Sequence, residues 1–328
     1  MNPNKALWEK GDFTRIAATM RQSGAALVQS VGIQPGMKVL DLGCGDGTTA
    51  LPAANLGAGR VGRRAATARM KRSTRRRATM IFRQLFEPIS STYTYLLGCE
   101  QTGKAVLIDP VMNSIERDLR VVQDLGLELA YTLDTHIHAD HVTSALELKR
   151  RVDSRIAAPA FDRLPCADVG MEEGRPLSIG SITLEGLHTP GHTDGHFSYV
   201  VGERVFTGDA LLIDGCGRTD FQNGDADALY SSVTRKLFTL PDETLVYPAH
   251  DYAGRRVSSI AQEKVRNPRL GGGRELEEFR RIMADLKLPY PKFIDYAVPG
   301  NLQCGVCPSH LPEDLEKYCR TMAQSPQG

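Results

Sequence analysis

The chain has 328 residues, which is enough for about two domains at roughly 150 residues each, and its 41% hydrophobic and 24% charged content is that of a globular protein. Collagen-like, coiled-coil and wholly disordered classes are thereby excluded. No apolar run reaches the ~20 residues of a membrane span, and charged side chains interrupt the N-terminal stretch where a signal peptide would be apolar. We therefore expect a cytoplasmic protein with no membrane partner, and with reduced thiols because its seven cysteines are few and scattered.

The net charge of +1 conceals a strongly basic segment. Residues 60–79 contain nine lysine and arginine residues and no acidic one, so the remainder of the chain is acidic overall. The segment also lacks apolar periodicity, and we interpret it as a disordered linker. An electrostatic tether for nucleic acid or anionic lipid is the alternative. No aromatic side chain on which a base could stack is interleaved, so a nucleic-acid partner is not expected.

The residues before the linker predict a strand at 38–42, a glycine-rich turn at 43–47 and flanking helices, as in a cofactor-binding unit. The string Val39-Leu-Asp-Leu-Gly-Cys-Gly-Asp-Gly47 resembles the first motif of class I S-adenosylmethionine-dependent methyltransferases. The resemblance stops there, because the acid that would hold the cofactor ribose falls in the basic segment. We interpret residues 1–59 as a truncated, Rossmann-like methyltransferase fragment without activity.

From residue 80 the pattern is that of a complete domain. Strands are predicted at 80–86, 92–97, 104–109, 128–134, 182–187, 196–201, 204–206 and 244–247, and helices at 113–125, 143–152 and 226–238. Mixed strands and helices indicate a layered α/β sandwich. We assign residues 80–305 to this domain and 306–328 to a C-terminal tail.

The strongest chemical signal is the segment Thr135-His-Ile-His-Ala-Asp-His141, which directly follows a predicted strand. A tight loop at a strand end brings alternate side chains into one cleft, so its histidines and aspartate can converge on a metal ion. Three further candidate ligands each follow another predicted strand. The full candidate set is His136, His138, Asp140, His141, His192, Asp209 and His250.

This ordered set resembles the metallo-β-lactamase superfamily, whose αββα sandwich holds its metal at the edge between two sheets; the resemblance covers residues 80–305. Two arrangements remain open. In a binuclear site, one ion would bind His136, His138 and His192, the other Asp140, His141 and His250, with Asp209 bridging. In a mononuclear site, His136, His192 and Asp209 form a two-His-one-carboxylate triad, typical of non-haem Fe(II), and the other four side chains support it.

The surrounding sequence favours the mononuclear site. The strings 208–222, 248–252, 263–269 and 297–305 resemble the persulfide dioxygenases, also called sulfur dioxygenases. The resemblance implies one Fe(II) per chain and oxidation of glutathione persulfide by O2 to sulfite and glutathione. The alternative is a glyoxalase II-like thioester hydrolase with two zinc ions.

The same resemblance suggests residues that bind the substrate. Arg218 is expected to pair with a glutathione carboxylate, and a salt bridge that braces its own loop is the alternative. Tyr252 is expected to hydrogen-bond near the thiol end. Cys304 is a candidate thiol lining the pocket, and a buried thiol is the alternative. A homodimer or a homotetramer is compatible with the sequence.

Overall fold

The computed structural model describes residues 38–40, 59–61 and 80–319. The chain divides into two units, residues 1–75 and 76–328. In the first unit, strands β1 (Lys38–Leu40) and β2 (Gly59–Val61) pair in parallel. Strand β2 includes the first two positions of the predicted linker. The predicted turn at 43–47 and the rest of the linker lie outside the described residues.

The second unit contains two six-stranded sheets. The first has the spatial order β3 (Met80–Glu87), β4 (Thr92–Cys99), β5 (Lys104–Ile108), β6 (Glu128–Leu133), β7 (Arg155–Pro159) and β8 (Val169–Met171). The second has the order β14 (Ser258–Ser259), β13 (Leu245–Pro248), β12 (Arg204–Gly208), β11 (Phe197–Val201), β10 (Ile182–His188) and β9 (Leu177–Ile179). Strands β5 to β8 are parallel, as are β12 and β13, and the other neighbours are antiparallel.

Two-residue alternation places the main core between the sheets. On β4, Tyr95 and Leu97 join the core between the sheets, whereas Leu96 faces the opposite side. The second sheet contributes Leu184 and Phe206 to the same core. Strand β4 is buried on both faces along its whole length, and accordingly its sequence, TYTYLLGC, contains no charged residue.

Helices cover the outer face of each sheet. Helices α1 (Ile115–Asp124) and α2 (Ala145–Val152) pack on the first sheet, and α3 (Ala226–Arg235), α4 (Ile260–Arg266) and α5 (Leu276–Ala284) pack on the second. Helix α6 (Ile294–Asn301) packs beside the loop that follows β6. The four layers form an αββα sandwich, so the predicted fold class is confirmed. Among the residues that the structure describes, no helix is long and apolar enough to cross a bilayer.

The sequence prediction missed strand β7 and helices α4 and α5, and it also missed elements that lack a local pattern. Strands β8, β9 and β14 are two or three residues long, which is too short to show a period. Helix α6 contains Pro299 and has little amphipathic pattern, since it is buried on several sides. Tertiary packing rather than local pattern forms these elements.

The expectation of reduced thiols is wrong for four of the described cysteines. Cys166 forms a disulfide with Cys304, and Cys307 forms one with Cys319. The first bond joins residues 138 positions apart in the chain, whose Cα atoms the fold brings within 6.1 Å. Such a contact is invisible in the spacing of the cysteines.

Candidate metal centre

The first candidate ligands lie on the loop that follows β6, residues 135–141, which we call the metal loop. Asp109, at the end of the neighbouring strand β5, anchors this loop: its carboxylate accepts hydrogen bonds from the Thr135 amide at 2.7 Å and the Thr135 hydroxyl at 3.1 Å. The Thr135 hydroxyl also lies 2.9 Å from His136 Nδ1. Because Nδ1 is engaged, Nε2 is the nitrogen with which His136 can bind a metal ion.

Two further ligands come from the second sheet. His192 lies between β10 and β11, and its Nδ1 donates a hydrogen bond to the Arg218 carbonyl at 2.7 Å. Its other ring nitrogen, Nε2, lies 3.5 Å from Asp209 Oδ2. Asp209 directly follows β12. Its predecessor Gly208 has a positive φ of 50°, and a Cβ there would lie 2.4 Å from His196 Nε2, so only glycine fits this turn.

These three side chains form a compact donor group. Ligand atoms of His136, His192 and Asp209 all lie within 4.8 Å of one another. Burial, together with the neighbouring His138 and His192, lowers the pKa of His136 well below its usual value, so the ring is neutral. Neutral imidazole is the form that binds a metal, and two imidazoles with one carboxylate suit a divalent transition metal.

A second donor group lies beside the first. Ligand atoms of His138, Asp140 and His141 also lie within 4.8 Å of one another. His138 Nδ1 and His141 Nε2 are buried, and neither has a hydrogen-bond partner among the described residues. Buried, unpaired imidazole nitrogens are costly, and a bound cation would satisfy them. The residues present therefore fit a metal centre.

His250 connects the two groups. Its Nδ1 lies 2.7 Å from Asp209 Oδ1, and its Nε2 lies 2.9 Å from Asp140 Oδ2. Burial alone would lower its pKa, but the two carboxylates raise it well above the ordinary value. Both ring nitrogens are thus engaged by acids, so His250 orients Asp209 and Asp140 in this arrangement. All seven predicted ligand candidates lie together at one edge of the sandwich.

The predicted substrate residues, Arg218 and Tyr252, lie beside the candidate ligands His192 and His250, and we call this pair the rim. The guanidinium of Arg218 forms a two-point ion pair with Asp220 at 2.6 and 2.7 Å, donates to the Pro289 carbonyl at 2.9 Å and lies over the Phe221 ring. Tyr252 is 79% exposed, and its ring stacks on His250 at 6.2 Å. The Arg218 guanidinium therefore has an ion-pair partner within the chain. The Tyr252 hydroxyl has no hydrogen-bond partner among the described residues.

Cys304 does not offer the predicted pocket thiol. Its side chain is buried, and its sulfur is bonded to Cys166. The sequence prediction of a free thiol is wrong because the partner comes from the segment between β7 and β8, far away in the chain.

Comparison with known proteins identifies the family. Residues 89–250 match the model of the Metallo-beta-lactamase superfamily. The chain is 47% identical over 237 residues to the human protein "Persulfide dioxygenase ETHE1, mitochondrial", covering 70% of this chain and 90% of the human protein. It is 55% identical to the crystal structure of ETHE1 from Myxococcus xanthus, with a TM-score of 0.68 over 69% of this chain and 100% of that one. The chain belongs to the persulfide dioxygenase family.

A hydrolase is a weaker match to this chain. Hydroxyacylglutathione hydrolase of Rhodospirillum rubrum is 38% identical over 168 residues, covering 50% of this chain and 64% of the hydrolase. The comparisons thus support the dioxygenase and not the glyoxalase II-like alternative. They give no support to the methyltransferase resemblance of residues 1–59, and a cytoplasmic location stays a prediction, since the human relative is named as mitochondrial.

His196 is a supporting residue of the site that sequence reasoning missed. It is fully buried, its Nδ1 lies 2.9 Å from the Thr189 hydroxyl, and its Nε2 accepts a hydrogen bond from the Asp209 amide at 3.1 Å. Burial and the nearby His192 lower its pKa to about 3, so it stays neutral and can accept. Its position four residues after His192 in one glycine-rich loop was the available signal.

Proposed function

We propose that the chain is an Fe(II)-dependent dioxygenase that oxidises glutathione persulfide to sulfite and glutathione, with one iron per chain held by His136, His192 and Asp209. The reaction balances with one O2 and one water: the outer sulfur loses four electrons, O2 gains four, and bisulfite, glutathione and a proton are released. The observation that carries the proposal is the two-His-one-carboxylate donor group in a member of the persulfide dioxygenase family.

An iron held by His136, His192 and Asp209 would supply the redox chemistry with O2. The chain's own residues prepare this site. Thr135 and the Arg218 carbonyl hold the Nδ1 atoms of His136 and His192, which presents both Nε2 atoms in fixed orientations. Asp209 carries the negative charge, because His250 keeps it ionised despite its burial.

The rim residues would bind the glutathione portion. Three N–H groups of Arg218 are engaged by Asp220 and Pro289, and its remaining N–H groups are the ones a substrate carboxylate would take. The exposed Tyr252 hydroxyl is the matching donor near the sulfur end. Asp220 holds the guanidinium in one orientation, which lowers the entropy lost when the substrate binds.

The supporting experiment measures metal and oxygen together. The chain is purified without oxygen, reconstituted with iron, and mixed with glutathione persulfide in an oxygen electrode; sulfite is assayed in parallel. We expect about one iron per chain and one O2 consumed per sulfite formed. Two bound zinc ions, no O2 uptake and release of thiol from a glutathione thioester would overturn the proposal in favour of hydrolysis.

A further inference from the structure

The metal loop is held from outside the sandwich by one buried amide. Asn301, the last residue of α6, donates from Nδ2 to the carbonyl of His138 at 2.9 Å and to that of His141 at 2.8 Å. Its Oδ1 accepts a hydrogen bond from the Thr143 amide at 2.9 Å. Carbonyls only accept and an amide N–H only donates, so these partners determine which way the Asn301 amide points.

These three bonds act on the backbone that carries the candidate ligands. His138 and His141 lie outside the strands, and their carbonyls accept hydrogen bonds from the Asn301 side chain. Both donors of the amide are used, and the side chain is only 4% exposed. A small polar group that satisfies buried carbonyls at both ends of a loop turn restricts the turn to one conformation.

Asn301 is itself held by a rigid turn. The amide of Cys304 donates to the Asn301 carbonyl at 2.9 Å, and the Cys304 carbonyl accepts from Leu146 at the start of α2. Cys304 has a positive φ of 57°, which costs energy for a residue with a Cβ. Gly305 follows at φ 103°, where a Cβ would lie 2.0 Å from the Thr143 carbonyl.

The disulfide closes this turn onto the first sheet. Cys166 lies between β7 and β8, and its bond to Cys304 ties the end of α6 to that segment. Leu164 of the same segment and Asn301 line one small cavity together with His136 and His138. A covalent bond three residues after Asn301 therefore limits how far the amide can move away from the metal loop.

We propose that Asn301 is a positioning residue for the metal loop and that the Cys166–Cys304 disulfide locks it in place. The inference rests on the proposed function only in taking this loop to hold a metal. Loss of the amide leaves two buried carbonyls unsatisfied, so the loop exchanges between conformations and its imidazoles are less well placed for a metal.

The test uses Asn301→Ala and Asn301→Asp in the full chain. The aspartate variant keeps the acceptor for Thr143 and loses both donors, so it isolates the bonds to the metal loop. We expect Co(II) affinity to fall about 10–100-fold, the range for outer-sphere partners of a metal ligand. In the metal-free protein, hydrogen exchange of residues 136–143 should accelerate, while exchange in β4 and β5 stays slow.

Asn267→Ala is the matched control. Asn267 is equally buried and also donates to a carbonyl and a carboxylate, those of Gly215 and Glu263, away from the metal loop. It should lower the midpoint of thermal unfolding without faster exchange at 136–143. Unchanged loop exchange and Co(II) affinity in both Asn301 variants, with β4 and β5 intact, would overturn the proposal.

Cys166→Ser tests the lock, and a Cys307→Ser, Cys319→Ser double variant removes the other disulfide as its control. We expect faster exchange at 136–143 and weaker Co(II) binding only for Cys166→Ser. An equal effect of both would contradict a specific role of the Cys166–Cys304 bond. These measurements need no turnover, so failure of the inference is distinguishable from absence of O2 uptake, which would instead overturn the proposed function.

Discussion

The candidate ligands and the candidate substrate residues are held in different ways. His136, His192 and Asp209 are nearly buried. One atom of each is held by a hydrogen bond, with the Thr135 hydroxyl, the Arg218 carbonyl and the His250 ring respectively. Tyr252 is 79% exposed, whereas the Arg218 side chain is 17% exposed and pairs with Asp220, whose side chain is 56% exposed. The inner group has buried partners, whereas Tyr252 faces solvent and Arg218 is paired with a carboxylate that faces solvent.

The difference follows from desolvation. A buried imidazole or carboxylate without a partner is costly, so the fold supplies one for each ligand and thereby fixes its orientation. An exposed side chain has water as a partner and can exchange it for a substrate. Changes to the inner group should therefore alter metal binding, and changes to the rim should alter substrate affinity.

The largest expected effect comes from removing an inner ligand. His136→Ala, His192→Ala and Asp209→Ala should each lose the bound metal and lower kcat/KM by more than the ~10–100-fold typical of outer-sphere changes. Metal analysis and O2 uptake measure both. His188→Ala, at a histidine bonded to the Asp194 carbonyl, is the control that should keep its metal. Metal retained in all three ligand variants would contradict the triad.

The next effect comes from a residue that supports a ligand. Thr135→Val keeps the shape but loses the hydroxyl between Asp109 and His136, so metal affinity should fall ~10–100-fold. Thr132→Val is the matched control, because the Thr132 hydroxyl is buried and has no hydrogen-bond partner among the described residues. Equal metal affinities for the two variants, measured by Co(II) titration, would argue against the support.

Arg218→Gln should separate the rim from the inner group. Loss of a charged hydrogen bond of about 1.5–3 kcal/mol predicts a KM for glutathione persulfide raised roughly 10–100-fold, with metal content and kcat little changed. Steady-state O2 uptake over a range of substrate concentrations measures this. Arg280→Gln, at a surface ion pair with Asp227, is the control. A metal loss in Arg218→Gln would break the distinction.

Tyr252→Phe should have a smaller effect of the same kind. One neutral hydrogen bond of about 0.5–1.5 kcal/mol predicts a two- to tenfold change in kcat/KM with unchanged metal content. Tyr252→Ala also removes the ring that stacks on His250, and should lower activity further. If the phenylalanine variant equals the wild type and the alanine variant does not, the ring and not the hydroxyl is what matters.

Removal of residues 1–79 should have the smallest effect. A chain beginning at Met80 keeps both sheets and all candidate ligands, so metal content and kcat/KM should match the full chain. Oxygen uptake and thermal unfolding of the two chains provide the measurement. An inactive or insoluble product would show that the N-terminal residues belong to the working enzyme and that the predicted domain boundary is wrong.

Most of the long elements were predictable from local pattern. The strands at 92–99 and 104–108 and the helix at 226–235 lie within a few residues of their predicted bounds, because alternation and helical spacing are local properties. The metal loop was predictable for a similar reason, since its three histidines and one aspartate fall within six residues after a strand. The short strands β8, β9 and β14 had no such signal.

The supporting residues of the site were not predictable in the same way. Asp109 contacts the metal loop from 26 positions away in the chain, and Asn301 contacts it from 160 and 163 positions away. Asn301 lies in the string 297–305, but nothing in that string shows that its side chain reaches the metal loop. The sequence left two roles open for Arg218, and the structure contains the ion pair within its own loop, with Asp220 two residues later, while substrate binding by Arg218 stays a prediction. An isolated aspartate or asparagine is common in any loop, so only its place in the fold distinguishes it.

The sequence by itself determined the sandwich and the identity of the candidate ligands, since both are encoded in short segments whose periodicity or composition is distinctive. Only the tertiary structure decided which atoms hold each ligand and that Cys304 is bonded to Cys166 rather than free. The physical reason is that hydrogen bonds and disulfides depend on distances of a few ångströms between residues far apart in the chain, and these distances exist only once the two sheets have packed.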